Sequence, residues 1–277
     1  MATTFEAHDG LRIAVERRPA AGRGLVAVHA TGFCSAVWWP VIDDLPGYDA
    51  VLLDQRGHGA SDEPPLPIDW WDVGRDVLTA ADRMAWERRP YGVGHSSGAA
   101  VLAMAEILRP GTFAGLVLVE PILFPPPHGR VDDHPMALRA EQRRDRFPHR
   151  DAAREHYRGR GAFAGWDDDV LEAFLACGLV DDPDGEGLRL ACRPAFEAES
   201  YRSGASHGAF DRLGELDLPV LLVGGERSDT HGDLLLDRQA AAIPGARTVV
   251  IEGATHFVPM ERPAELAGLV RRAFPTA

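Results

Sequence analysis

A serine flanked by glycines lies where a short apolar run gives way to a helical pattern. The segment reads Gly94-His95-Ser96-Ser97-Gly98. A strand that turns directly into a helix bends sharply at the serine, and only very small residues two positions away on each side let strand and helix approach so closely. We therefore expect the Ser96 hydroxyl to project from the tip of the strand, beside the positive end of the helix. This arrangement suits nucleophilic attack on a carbonyl carbon.

Other interpretations of the same glycines are weaker. A dinucleotide-binding loop needs a third glycine where Ser97 stands, and the chain has no GxxxxGK phosphate loop and no lysine at all. A glycine-rich turn with an unreactive serine remains the alternative.

The elements that must position this serine are suggested by continuous apolar runs. These runs cover residues 25–29, 50–54, 115–120, 220–224 and 248–252. Unbroken apolar strands are typical of a parallel sheet with both faces covered, and helical apolar spacing at 70–84 and 263–274 supplies covering helices. Residues 5–17 read as a hairpin around Asp9-Gly10. The fold class predicted is α/β, a mostly parallel central sheet flanked by helices, with ligands at the carboxyl ends of the strands.

The alternation of strand and helix is interrupted in the middle of the chain. A proline-rich exit at 124–129 is followed by charged, helix-leaning segments with scattered aromatic residues and no strand-like run. The sequence therefore predicts a core of residues 1–122 and 213–277, with an inserted helical cap at 123–212.

Polar residues follow three of the core strands in an informative order. Ser96 comes first, Asp229 follows the run at 220–224, and His256 follows the last run. This order of serine, acid and histidine resembles the α/β-hydrolase family. The turn at 29–33 and the segment 54–61 match that family as well, so the resemblance covers roughly residues 24–122 and 217–277.

The resemblance implies a catalytic triad. His256 would accept the proton of Ser96 through one ring nitrogen, and Asp229 would accept a hydrogen bond from the other. Glu120, at the end of another strand, is the alternative acid, because some family members draw it from there. We favour Asp229.

The tetrahedral oxyanion needs two preset donors. The backbone N–H of Ser97 is the expected first donor and that of Phe33 the expected second. The turn departs from the more usual His-Gly-x pattern, which leaves Thr31 and Gly32 open as alternatives to Phe33.

The predicted activity is cleavage of an ester-type bond in a small, largely apolar substrate through an acyl-enzyme. Lactonase, C–C bond hydrolase and cofactor-free haloperoxidase activities are alternatives on the same triad, and a slow or non-catalytic receptor is an alternative of another class. The residues expected to contact substrate are His95, Trp38, Phe124, Trp166 and Phe257. His29 and His58 read as hydrogen-bonded scaffold. The metal-compatible residues at 128–134 read as a solvated loop, and no metal or cofactor is expected.

Composition limits the partners. A net charge of −13 argues against binding nucleic acid or an anionic membrane, and no apolar run approaches the 18 or more residues of a membrane span. No secretory signal is visible at the start of the sequence. Three cysteines, Cys34, Cys177 and Cys192, are expected to be reduced thiols in a cytoplasmic protein. We expect a monomer or homodimer that acts on a small molecule.

Overall fold

A computed structural model describes residues 2–230 and 232–275. Its strands are β1 (Ala2–Glu6), β2 (Arg12–Arg18), β3 (Arg23–Val28), β4 (Tyr48–Leu53), β5 (Tyr91–His95), β6 (Gly115–Val119), β7 (Arg146–Phe147), β8 (Leu179–Asp181), β9 (Leu188–Leu190), β10 (Val220–Gly225) and β11 (Arg247–Ile251). Its α-helices are α1 (Trp39–Asp43), α2 (Trp70–Arg83), α3 (Ser97–Leu108), α4 (Pro135–Gln142), α5 (Arg150–Tyr157), α6 (Asp168–Cys177), α7 (Pro194–Ser203), α8 (Gly232–Ala242), α9 (Val258–Glu261) and α10 (Pro263–Ala273). Short 3₁₀ helices cover Ser35–Trp38, Gly161–Phe163 and Ala209–Glu215.

The central sheet of the described residues has eight strands in the order β1-β2-β4-β3-β5-β6-β10-β11. Strands β1 and β2 form an antiparallel hairpin, and β2 is also antiparallel to β4. The remaining strands of this sheet are parallel to one another, namely β4, β3, β5, β6, β10 and β11. The α/β fold class predicted from the apolar runs is confirmed. Because parallel strands end at the same edge, the residues after β5, β6, β10 and β11 are brought to one rim.

Both faces of the sheet are covered, which explains the continuous apolar strands. Alternate residues of β3 pack into different cores. Leu25 and Ala27 join the cluster that includes α10 and α6, whereas Val26 and Val28 join the cluster that includes α2 and α3. Every residue of α3 from Ser97 to Ile107 is buried, so this helix is enclosed by the core.

The segment between β6 and β10 includes residues 123–212, the range for which the sequence predicts an insertion, and we call these residues the cap. It holds α4 to α7, as the helix-leaning sequence suggested, but also a small antiparallel sheet in the order β7-β9-β8. The sequence, which has no strand-like apolar run in this region, gave no indication of these three strands. These strands have only two or three residues each, too short for an alternating pattern to be read from sequence.

The cysteines also differ from the expectation. Cys34 and Cys177 form a disulfide with their Cα atoms 6.3 Å apart, and Cys192 is a buried free thiol. The prediction of three reduced thiols was therefore wrong. The bonded partners are 143 positions apart, and only folding of the cap onto the core brings them together. No helix in the described part of the chain has the length and apolar character needed to cross a membrane.

Candidate active site

Ser96 occupies the bend between β5 and α3 with φ 55° and ψ −112°, a conformation that residues other than glycine rarely adopt. The glycines on either side are required by close backbone contacts. A Cβ on Gly94 would lie 2.5 Å from the carbonyl oxygen of Gly98, and one on Gly98 would lie 2.1 Å from that of Val28. The predicted sharp turn is therefore present, for the steric reason that the motif suggested.

The serine is held at the rim by its own backbone. Its N–H donates to the carbonyl of Val119 at 2.8 Å, which ties the end of β5 to the end of β6. Ser96 is buried, and its hydroxyl makes no hydrogen bond to another described residue. Ser97 is the first residue of α3, so its N–H has no acceptor within the helix. The Ser96 hydroxyl is thus free to turn, and the first-turn N–H groups are available beside it.

His256 contacts a carboxylate through Nδ1, and that carboxylate belongs to Glu120. The distance from Nδ1 to Glu120 Oε2 is 2.9 Å. The Gly225 N–H donates to Oε1 at 2.7 Å, and the Ser228 hydroxyl donates to Oε2 at 2.6 Å. Glu120 is completely buried, so these donors replace the water that a carboxylate would otherwise hold.

The favoured partner of His256 was Asp229, and that pairing is not what the structure shows. Asp229 is exposed, while the preceding residue of the same loop, Ser228, turns towards the carboxylate of Glu120. Glu120 itself has a positive φ of 51° at the end of β6, which turns its side chain along the rim. The alternative acid of the sequence analysis is the residue that contacts the histidine.

The loop that carries His256 is braced on both sides. Thr255 donates to Glu261 through its N–H at 2.8 Å and its hydroxyl at 2.7 Å. On the other side, His95 Nε2 lies 2.8 Å from the carbonyl oxygen of His256, and the two imidazole rings are 4.9 Å apart. His95 was expected to contact substrate, but it is fully buried and contacts the histidine loop instead. Because His95 directly precedes Ser96 in the chain, this contact fixes the position of the His256 loop relative to the serine.

The turn at 30–33 lies at the end of β3, beside this group. The N–H of Gly32 donates to His58 Nε2 at 2.9 Å, and that of Phe33 donates to the carbonyl of Ala30 at 3.2 Å. Among the described residues, the N–H of Thr31 has no acceptor. The expected second donor, Phe33, is thus already engaged in the turn, and Thr31 is the residue whose N–H is available.

His29 and His58 form the scaffold of this turn. Each has Nδ1 near a backbone carbonyl oxygen and accepts a backbone N–H at Nε2, that of Gln55 at 3.0 Å for His29 and that of Gly32 for His58. Burial lowers the pKa of His29 to about 4 and the pKa of His58 to about 3. Both rings are therefore neutral near pH 7, and their Nε2 atoms remain acceptors.

Comparison with known proteins identifies the family. A family model described as the alpha/beta hydrolase family matches residues 25–269. The chain belongs to the alpha/beta hydrolase family. The resemblance inferred from the order of serine, acid and histidine is confirmed.

Relatives of this chain are named for several reactions. It is 29% identical over 166 residues to a type I acyl-CoA thioesterase of Penicillium roqueforti (strain FM164), a match that spans 54% of this chain but only 38% of the thioesterase. It is 25% identical over 243 residues to a 2-(acetamidomethylene)succinate hydrolase of Mesorhizobium japonicum, with 87% of this chain and 84% of that protein covered. A crystal structure of an E-2-(acetamidomethylene)succinate hydrolase superposes with a TM-score of 0.83 at 24% identity, covering 99% of this chain and 98% of that one. The structural match establishes the fold.

An aromatic cluster joins the cap to the rim of the sheet. We use the term aromatic cluster for Phe33, Tyr157, Phe163, Trp166, Phe174 and Phe257. The ring of Phe33 lies 5.1 Å from Trp166, 5.8 Å from Phe174 and 6.2 Å from Phe257. The ring of Phe257 is in turn 5.4 Å from that of His256. An apolar wall therefore begins directly beside the histidine.

The predicted substrate contacts divide into two groups. Trp166 and Phe257 belong to the aromatic cluster, and the indole N–H of Trp166 is buried without an acceptor among the described residues. Trp38 is completely buried in the core, and neither it nor Phe124 makes a ring contact with the cluster in the described structure. The sequence analysis did not assign Tyr157, Phe163 or Phe174 to substrate contact, because an aromatic residue in the cap is more often part of the core than of a binding site.

An ion pair in the cap, between Arg143 and Glu197, also contacts the turn at 30–33. Arg143 Nη1 lies 2.5 Å from Glu197 Oε2, and a Cβ added to Gly32 would lie 2.7 Å from Glu197 Oε1. Gly32 has φ 83°, so both its conformation and its contact require glycine. Nothing in the separate sequence positions of these three residues indicated the contact.

Metal-compatible groups in the described residues have other partners. His128 lies 2.9 Å from Asp211, and His134 caps α4 by accepting the N–H of Met136. His8, Asp9 and Asp72 place ligand atoms within 4.8 Å of one another, but both carboxylates face the guanidinium of Arg56.

Proposed function

We propose that this chain is a serine hydrolase that cleaves an ester-type bond through an acyl-enzyme on Ser96, with His256 as general base and Glu120 as the acid. The observation that carries the proposal is the hydrogen bond between His256 Nδ1 and the buried carboxylate of Glu120, beside a serine at a strained strand-to-helix bend. A buried carboxylate on Nδ1 fixes the ring tautomer and leaves Nε2 to accept a proton.

The proposed reaction has two stages, acylation and deacylation of Ser96, and uses these three residues in both. Ser96 Oγ attacks the carbonyl carbon while its proton passes to His256 Nε2, and Glu120 stabilises the imidazolium. The C–O or C–S bond then breaks, and the leaving alcohol or thiol takes the proton from Nε2. Water repeats the sequence on the acyl-enzyme, which releases the carboxylic acid and restores the hydroxyl of Ser96.

The oxyanion needs two N–H donors aimed at the developing charge. Ser97, at the first turn of α3, and Thr31, in the turn at the end of β3, supply N–H groups that are not committed to acceptors in the described residues. We assign the second donor to Thr31 rather than Phe33, because the Phe33 N–H already closes the turn. Loss of one such donor typically costs about 2.7–4 kcal/mol of transition-state stabilisation.

The proposed substrate side is mostly apolar. The aromatic cluster lies beside His256 and favours a hydrophobic acyl group. The indole N–H of Trp166 is a buried donor in that cluster with no acceptor among the described residues, which suits an acceptor atom of the substrate. A relative named acyl-CoA thioesterase and one named hydrolase of a 2-(acetamidomethylene)succinate support acyl transfer to water as the reaction class.

The test is a hydrolysis screen with p-nitrophenyl esters of acyl length two to twelve, matched thioesters and lactones. We expect turnover of apolar acyl esters or thioesters, reduced by more than about 10³-fold in Ser96→Ala. Ser97→Ala is the matched control, because it keeps the backbone N–H and removes a neighbouring hydroxyl. Turnover that persists in Ser96→Ala would show that Ser96 is not the nucleophile. Ligand binding in the absence of any turnover would favour the receptor alternative.

A further inference from the structure

The disulfide connects two parts of the molecule that both border the proposed site. Cys34 directly follows Phe33 of the turn at the end of β3, and Cys177 is the last residue of α6 in the cap. The bond is thus a covalent link between the cap and the turn that contains the proposed oxyanion donor.

Helix α6 is attached to the core at both ends. At its start, the Asp167 N–H donates to the carbonyl of Met260 at 2.8 Å, four residues beyond His256. At its C-terminal end, Cys177 is bonded to Cys34. Between them, Phe174 contacts the ring of Phe33 at 5.8 Å. Opening a path for a long acyl group between α6 and the turn requires this helix to move away from Phe33.

The two sulfur atoms differ in access to solvent. Cys34 is fully buried, whereas Cys177 is only partly buried at the helix end. The third cysteine is buried, and burial raises the pKa of its thiol, so Cys192 stays protonated and unreactive. A thiol reductant therefore approaches the bond from the side of Cys177, the less buried of the two bonded residues.

We propose that the Cys34–Cys177 disulfide is a thiol–disulfide exchange site at which a dithiol releases α6 and widens access to Ser96. This inference rests on the proposed hydrolase function for its effect on turnover, and on the position of the bond for the release itself. Oxidised protein holds α6 against the turn and favours small substrates. Reduced protein retains the cap through noncovalent contacts and admits longer acyl groups.

The exchange uses a dithiol as the electron donor. One thiolate of the dithiol attacks Cys177 Sγ, the S–S bond breaks, and Cys34 leaves as a thiolate that takes up a proton. The second thiol of the reagent then attacks the mixed disulfide and frees the thiol of Cys177. Overall, two electrons and two protons convert the disulfide to two thiols, and the reagent becomes a cyclic disulfide.

The experiment compares oxidised protein with protein reduced by dithiothreitol, in two measurements. The first is amide hydrogen exchange of residues 168–177, with residues 97–108 of the buried helix α3 as internal reference. The second is the ratio of kcat/KM for p-nitrophenyl decanoate to that for p-nitrophenyl acetate. The double variant Cys34→Ser with Cys177→Ser represents the permanently released state, and Cys192→Ser is the matched control that keeps the bond.

We expect reduction to speed exchange in 168–177 but not in 97–108, and to raise the decanoate-to-acetate ratio several-fold. The double variant should show the reduced values with or without dithiothreitol, while Cys192→Ser should respond as the natural protein does. Unchanged exchange in 168–177, or faster exchange with an unchanged ratio, would overturn the proposal. If no ester is hydrolysed in either state, the proposed function fails, and hydrogen exchange alone decides whether the bond holds α6.

Discussion

Nδ1 of His256 lies 2.9 Å from Oε2 of Glu120, although 136 positions separate the two residues in the chain. The contact joins the loop after β11 to the end of β6, with β10 between these strands in the sheet. The loop after β10 contributes the Gly225 N–H and the Ser228 hydroxyl, which hold the same carboxylate. Three strand ends therefore meet at one buried carboxylate, and the histidine is oriented by it.

The first prediction concerns which acid supports catalysis. Glu120→Gln replaces the carboxylate with a neutral amide and should lower kcat by about 10³–10⁴-fold, because the imidazolium is no longer stabilised and the tautomer is no longer fixed. Asp229→Asn, at the exposed neighbour of the same rim, should leave kcat within a few-fold. The measurement is kcat of both variants on one activated ester. A large loss in Asp229→Asn with nearly normal kcat in Glu120→Gln would instead assign Asp229 as the acid.

The second prediction concerns Ser228 as a positioning residue for Glu120. Its hydroxyl donates to the oxygen that also accepts the hydrogen bond of His256, so Ser228→Ala removes a hydrogen bond to a charged group, worth about 1.5–3 kcal/mol. We expect kcat to fall tenfold or more with KM unchanged, since Ser228 acts through the acid. Ser228→Thr keeps a hydroxyl and should restore most of the rate. A rise in KM with normal kcat would instead assign Ser228 to substrate binding.

The third prediction tests the steric basis of the bend at Ser96. In Gly98→Ala the new Cβ would stand 2.1 Å from the carbonyl oxygen of Val28, so strand and helix must separate. Overpacking of this kind costs about 1–3 kcal/mol of the free energy of unfolding and should abolish turnover. Gly214→Ala is the control, because its Cβ would meet its nearest neighbour at 3.9 Å. Denaturant unfolding of both variants gives the comparison, and equal stabilities would refute the close-approach argument.

The fourth prediction is a loss of stability in acid from His58. The folded protein holds the pKa of His58 at about 3, whereas the unfolded chain has the ordinary value near 6.5. Below pH 6.5 the unfolded state therefore binds the proton first, and the free energy of unfolding falls as the pH drops towards 3. The contribution of this residue is about 2 kcal/mol between pH 7 and pH 5.

His58→Gln isolates that contribution, because glutamine keeps an acceptor for the Gly32 N–H and does not titrate. Denaturant melts of both proteins at pH 5 and pH 7 should show a smaller acid loss in the variant. Parallel losses would mean that His58 is not held neutral in the folded protein.

Much of the fold was predictable because it depends on short-range patterns. Continuous apolar runs indicated a covered parallel sheet, and the Gly94-x-Ser96-x-Gly98 spacing indicated the bend, which the structure contains at φ 55°. Both signals lie within single elements, where composition and steric limits determine the local conformation.

Such patterns could not show which acidic residue contacts His256. Glu120 and Asp229 both follow strands, and the difference lies in how the loop after β10 turns, with Ser228 inward and Asp229 outward. The disulfide is a similar case. Its partners, Cys34 and Cys177, become neighbours only when α6 packs on the core, and no spacing in the sequence records that packing.

The most direct measurement of the central claim is labelling with a fluorophosphonate, followed by mapping of the adduct by mass spectrometry. The account predicts one adduct, on Ser96, formed rapidly in the natural protein and in Ser97→Ala, and slowed by orders of magnitude in His256→Ala and Glu120→Gln. A folded protein whose Ser96 stays unlabelled, or labels equally fast without His256, would contradict it.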